Sequence, residues 1–261
     1  MQNDPRSIGV FDSGLGGLTV LSAIRRKFPN ESLFYLGDTA RLPYGTKSPE
    51  TVLKYALACA KALMKQAELK LLVIACNTAT AHAFSALQDE LEIPVVGVIE
   101  SGVSETLSHV HLDSIAILAT AGTIRSKAYE RELKKQNFEG RIYPLACPLF
   151  VSLAEEGLTE GPIAQAISKH YLRQLPYLPD AVILGCTHYP LLLPTLKASL
   201  PHKTIWIDSG HATAHHLKFS PCLHQRGEAR YFVTDAPERF QKVASQFLGQ
   251  SIPIPDLISV D

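Results

Sequence analysis

Two cysteines stand in the same local setting. Cys76 follows the apolar run 71–75 and precedes Asn77-Thr78. Cys186 follows the apolar run 181–184 and Gly185, and precedes Thr187-His188. A short apolar run bounded by polar residues reads as a buried strand. Residues 79–90, after Cys76, have helical composition with an apolar stripe at Ala83, Leu87 and Leu91. Each thiol is therefore expected where a strand ends, and ligands of open α/β sheets bind at that end. Read singly, either cysteine is a buried apolar filler. Read as a matched pair facing one ligand, they suit reversible proton transfer. A thiolate removes a proton from one face of a carbon and a thiol returns one to the other face, inverting configuration. An unperturbed thiol is only a few per cent ionised at pH 7, so neighbours must tune it. His188, two residues after Cys186, is one candidate; Asp12 and a carboxylate near Glu155, from other loops, are others.

The elements that would position these groups alternate between strand and helix. Strands are expected at 8–11, 32–36, 71–75, 94–98, 114–119, 141–145, 181–184, 204–208 and 231–234. Helices are expected after Gly17 through Arg26, from Pro49 (capped by Ser48) to about 67, at 79–90, from 99–101 to about 110, and at 126–136. Further helices are expected at 150–156, 163–175, 191–200 and 237–248, while much of 211–261 reads as irregular. Such alternation implies parallel-rich sheets covered by helices on both faces, an α/β class. The echo between the cysteine segments suggests two pseudo-symmetric domains with the active site between them. The expected division is 1–98 plus 208–261 against 99–207, with contiguous halves as the alternative.

Other loops supply polar groups. The turn Asp12-Ser13-Gly14-Leu15-Gly16-Gly17 leads from a strand into a helix, where backbone N–H groups favour an anion. It lacks the GxGxxG spacing and no GK[ST] follows, so nucleotide binding is not indicated. Ser13, Asn77, Thr78, Thr187, Thr123 and the backbone around Gly45 could hold carboxylate and ammonium groups. Each could equally cap a helix, Thr123 above all. Tyr44, between Pro43 and Gly45, is expected on a substrate-facing loop, and Cys59 inside a helix reads as core. No HExxH, GxSxG or paired-carboxylate spacing occurs, and no metal site is expected.

Composition narrows the partners. The 261 residues are 46% hydrophobic and 19% charged with a formal net charge of zero. That argues against nucleic acid or an anionic membrane, which call for a basic surface. The five cysteines are odd in number and form no CxxC pair, so neither a disulfide framework nor structural zinc is indicated. Free thiols suit a reducing compartment, and no signal peptide or membrane span is visible, so cytoplasm is the expected location.

FDSGLGG at 11–17, PYG at 43–45, ACNTA at 75–79 and GCTHYP at 185–190, in this order and spacing, resemble the glutamate racemases of the aspartate/glutamate racemase superfamily. AGTIRSKAY at 121–129 and ACPLF at 146–150 also fit. The resemblance implies a cofactor-independent, two-base isomerase interconverting L- and D-glutamate, a small-molecule substrate, to supply D-glutamate for peptidoglycan. It implies Cys76 as the base toward the D-enantiomer and Cys186 toward the L-enantiomer, with Asp12 and His188 assisting proton transfer. Substrate-binding positions carried over are Asp12, Ser13, Tyr44, Gly45, Asn77, Thr78, Thr187 and His188. The accessory acid is Glu155, with Glu156 as competitor. Dimers are common in the family, so a homodimer is expected. Two departures stand out: the histidine-rich stretch 211–227, and Ala119-Thr120 where Gly-Thr is more usual. An aspartate or other amino-acid racemase of the same build, and an inactive binding or regulatory protein, are the competing readings.

Overall fold

The computed structural model describes residues 3–200, 203–223 and 227–260. The chain opens with β1 (Ser7–Asp12), α1 (Leu18–Lys27), β2 (Leu33–Gly37), α2 (Pro49–Met64), β3 (Leu69–Ile74), α3 (Asn77–Glu90), β4 (Val95–Gly97) and α4 (Val98–Leu107). It continues with β5 (Ser114–Ala119), α5 (Ala121–Ser126), α6 (Ala128–Lys135), β6 (Arg141–Ala146), α7 (Leu149–Glu155), α8 (Gly161–Leu172), β7 (Ala181–Gly185), α9 (Leu193–Ser199) and β8 (Ile205–Asp208). Then come α10 (Ser209–His216), β9 (Ala229–Val233), α11 (Pro237–Leu248) and β10 (Asp256–Leu257).

Among the described residues the strands form two sheets, ordered β10-β9-β2-β1-β3-β4 and β6-β5-β7-β8. Every pairing is parallel. The first sheet's β2-β1-β3-β4 and the second sheet's β6-β5-β7-β8 are wound in the same order, so β3 and β7 are equivalent strands. β1, β3, β5 and β7 are buried along their whole length. Helices on both faces require apolar groups on both sides of these strands. In the first sheet, Val10 and Val73 point to one core with Leu18 and Leu21 of α1. Phe11, Leu72 and Ile74 point to the other with Val52 and Leu63 of α2. The chain passes from the first sheet to the second through α4 and returns through α10. No helix among the described residues is long and apolar enough to cross a membrane.

Several expected elements change at their ends. The strand expected at 71–75 begins earlier, at Leu69, because Lys70 is buried rather than solvated. Its Nζ lies 2.7 Å from Glu31 Oε2 and donates to the carbonyls of Asp4 at 2.8 Å and Ser220 at 3.0 Å. The helix expected at 126–136 starts earlier and is split. Thr120 caps α5 by accepting from Thr123 N at 3.3 Å, and Lys127 at φ 54° breaks the path into α6. The helix after Cys186 begins as a 3₁₀ turn over Tyr189–Leu192 before α9. Pro190 and Pro194 lack the N–H of a continuous helix and sit in the two first turns. The stretch after 208, expected to be irregular, holds α10. Asp208 caps it, accepting from Gly210 N at 2.7 Å and His211 N at 3.3 Å. Ala212, Thr213 and Ala214 are buried where it packs on α1 and α4. Tertiary packing makes this helix, since its sequence carries no apolar stripe. Residues 224–226 of the histidine-rich stretch lie outside the described residues.

Candidate active site

The carboxyl ends of β1, β2, β3, β5 and β7 converge on one cavity. Ser13, Gly14, Tyr44, Gly45, Cys76, Asn77, Thr78, Thr120, Cys186, Thr187 and His188 line it, with Leu42, Pro43, Val151 and Glu155. The two cysteines thus reach one space from equivalent strands of the two sheets. The free space is about 40 Å³, on the scale of one water rather than a ligand pocket of about 300 Å³ or more. Substrate entry requires the two sides to part.

Cys76 is the N-cap of α3. Its sulfur accepts from Ala79 N at 3.4 Å, and its thiol donates to Ser13 Oγ at 3.5 Å. Burial and the nearby Asp12 charge push its pKa up to about 12 despite these hydrogen bonds. At neutral pH, Cys76 is a thiol with a proton to give. Next to it, Asn77 is oriented by Tyr129, whose hydroxyl donates to Asn77 Oδ1 at 2.7 Å. Asn77 Nδ2 is buried and finds no acceptor among the described residues. An unsatisfied buried donor is costly, so Nδ2 is a donor available to a ligand.

The second thiol has a different setting. Cys186 Sγ lies 3.7 Å from His188 Nδ1, and His188 Nε2 lies 3.2 Å from Glu155 Oε1. Burial alone would push the His188 pKa down. Its contacts with Cys186 and Glu155, and the Asp12 carboxylate, outweigh burial and raise it to about 10. The hydrogen bond to His188 in turn holds Glu155 below the usual carboxylate range against burial. An imidazolium beside Cys186 is a counter-charge for a sulfur anion. The pair is therefore chemically asymmetric: a protonated donor on one side, a sulfur with a cationic partner on the other. Of the two acidic candidates, Glu155 reaches His188, while Glu156 is the C-cap that follows α7.

Other expected site residues stand further back. Asp12 is buried behind the cavity rather than lining it. It accepts from Gly14 N at 2.9 Å and from Thr187 Oγ1 at 3.4 Å. Its place is to fix the Ser13 turn and the Thr187 loop. Burial raises its pKa, opposed by the His188 charge. Tyr44 lines the cavity, but its hydroxyl is committed to Asp38 in the core and neighbours Cys59 Sγ at 3.8 Å. The Tyr44–Gly45 loop faces the cavity, with the phenol hydroxyl turned to Asp38. Thr123 sits behind Thr78 and Thr120, bonding each at 3.1 Å. Thr120 itself lines the cavity and is a residue that motif reading missed as a site residue. It follows β5 as Ser13 follows β1, so the repeated strand order is the signal that finds it. Gly16 has a role other than anion binding. A Cβ there would lie 2.2 Å from Thr187 Oγ1 and 2.5 Å from His188 Nδ1. The first sheet's turn must be bare for the second cysteine loop to seat against it.

Two thiols at equivalent strand ends, one cavity between two parallel α/β lobes, and a histidine–carboxylate pair behind one thiol define the class: an α/β isomerase built for proton transfer. The chain belongs to the Asp/Glu/Hydantoin racemase family, whose sequence model matches residues 8–217. A glutamate racemase of Geobacter metallireducens is 45% identical over 252 residues, covering 94% of this chain and 93% of that one. The crystal structure of the RacE1 glutamate racemase isoform of Bacillus anthracis superposes with a TM-score of 0.93 at 36% identity, covering 97% of each chain. A Francisella tularensis glutamate racemase solved with D-glutamate gives 0.90 at 38% identity, covering 98% of each.

Proposed function

We propose that this protein is a glutamate racemase that interconverts L- and D-glutamate by two-base proton transfer between Cys76 and Cys186, supplying D-glutamate for peptidoglycan. The observation that carries the reading is the entry of both thiols into one cavity from the equivalent strands β3 and β7. For L-glutamate, the Cα–H bond breaks and its proton passes to the Cys186 sulfur, leaving the electron pair on Cα. Cys76 S–H then gives its proton to the opposite face, and the thiol and thiolate have exchanged places. The return reaction runs the same steps backwards. Asn77 Nδ2 and the hydroxyls of Thr78, Thr120 and Thr187 are suited to the substrate carboxylates. Fixed donors of this kind stabilise developing negative charge best in a closed, water-poor site. Domains of 1–98 with 208–261 and of 99–207 moving apart would admit substrate. The same reading carries a cytoplasmic enzyme, in keeping with its five free thiols, and a homodimer as the expected assembly. Racemisation assays on a panel of amino acids test it. Glutamate should be turned over far faster than aspartate or alanine, and faster turnover of aspartate, or none of glutamate, contradicts it.

The His188–Glu155 pair yields a prediction on pH. The imidazolium persists below about pH 10 and is lost as pH rises through that value. Activity that depends on it should fall on the alkaline side there. Glu155→Gln removes a negative charge that favours the charged ring, so the alkaline limb should move down by about one unit or more. A kcat/KM profile in the variant that keeps the wild-type limb would show that Glu155 does not set the ionisation.

A further inference from the structure

The histidine-rich stretch has no place in the racemisation chemistry, and its first residues form α10. We propose that Glu105 of α4 and His215 and His216 of α10 bind a divalent transition metal of the zinc type that ties these two helices together. His215 Nδ1 and His216 Nε2 lie 2.8 and 3.0 Å from the same Glu105 oxygen. The three ligand atoms all fall within 4.8 Å of one another. Ligands on one tetrahedral zinc, at about 2.0–2.1 Å each, lie roughly 3.3 Å apart, so small side-chain rotations suffice. Side-chain exposures of 66% for His215, 33% for His216 and 25% for Glu105 leave the ligands reachable and a fourth position open to water. The sequence shows no metal spacing because the ligands come from two distant helices. Glu105 occupies in α4 the place that His216 occupies in α10, counted from each helix start. The repeat of the fold brings them together.

The donor set selects the metal. Two imidazoles and one carboxylate suit zinc, nickel or cobalt, whereas calcium and magnesium call for more oxygen ligands. The surroundings disfavour an ion held by charge alone. Lys27 Nζ donates to the His215 carbonyl at 3.0 Å, and Arg26 lies 3.1 Å from the His211 ring. Glu105 stays below the usual carboxylate range. Burial raises it, and the hydrogen bonds and charges of both histidines outweigh that. On binding, each ring proton now shared with Glu105 leaves the ligating nitrogen, for the other ring nitrogen of a neutral imidazole or for solvent from a charged one, and metal–nitrogen bonds replace those hydrogen bonds. The two helices are the chain's two crossings between the sheets, so the ion clasps the connection about which the cavity must open.

The test uses the full chain freed of any affinity tag. Titration with Co²⁺ and Zn²⁺ should give one ion per chain. The cobalt spectrum should lack the thiolate charge-transfer band that binding at Cys76 or Cys186 would show. Affinity should fall at least about tenfold in His215→Ala, His216→Ala and Glu105→Gln, each at an accessible position where folding is spared. No binding at micromolar metal, binding unchanged in all three variants, or a thiolate band at one equivalent overturns the site. The effect on opening rests on the racemase reading. Zn²⁺ should slow glutamate turnover severalfold in the wild type and not in His216→Ala. Equal inhibition of both overturns the clasp. Absence of turnover without metal contradicts the racemase reading, while the titration still decides the site.

Discussion

Cys76→Ala and Cys186→Ala should each lower kcat/KM for glutamate by about 10³-fold, within the range of general acid–base catalysis. The double variant should be scarcely slower than either single one. The prediction follows from the cycle: each turnover takes a proton at one sulfur and gives one at the other, so losing either stops it. Groups that act as a unit are non-additive when removed. The variants should fold, since each replaces a small buried side chain with a smaller one beside a cavity. Circular dichroism and thermal unfolding check that point, and racemisation followed by polarimetry measures the loss. A loss of under tenfold in either variant would place the chemistry elsewhere.

Lys70→Ala should cost about 3–5 kcal/mol of stability, the usual consequence of stranding a buried charge. Glu31 is 1% exposed, and its Oε2 has Lys70 as its only partner among the described residues. Its other oxygen accepts from Cys222 N at 2.7 Å. Lys70 also bonds the Asp4 and Ser220 carbonyls, so the pair pins the segments before β1 and after α10 to the start of β3. Such a loss is a large share of the 5–15 kcal/mol typical of a domain. Pairing Lys70→Met with Glu31→Gln should recover much of it, because no charge is then stranded and the Cys222 bond keeps its acceptor. Urea unfolding curves of the three forms measure both effects. Equal stability of Lys70→Ala and wild type would show that the carboxylate finds water or a proton instead.

The same lysine shows where sequence reading reaches its limit. The central strands were legible because two-faced burial leaves a continuous apolar run, as in 114–119. Lys70 ended such a run prematurely, because its partner Glu31 is brought to it only by the fold. α10 was illegible for a related reason: its helical state comes from packing between α1 and α4 and from the Asp208 cap. In the site, Cys76, Cys186 and His188 were legible as types placed at strand ends. Glu155 was named as a carboxylate from another loop and, through the resemblance, as an accessory acid, but its contact with His188 was not legible, because it depends on α7 lying against the β7 loop. Tyr44 was legible as a loop residue beside the cavity, but the bond from its hydroxyl to Asp38 was not, because the fold alone brings that partner to it. Thr120 was passed over because its motif looked like a departure, although the repeated strand order sets it opposite Ser13.

The central claim is that two thiols act on opposite faces of one carbon. It is tested most directly by running L-glutamate to low conversion in D₂O with the wild-type protein and recovering both enantiomers. The two-base account predicts deuterium at Cα of the D-glutamate formed and protium retained in the unreacted L-glutamate. Deuterium entering the remaining L-glutamate as fast as D-glutamate appears would mean that one base serves both faces, and would contradict it.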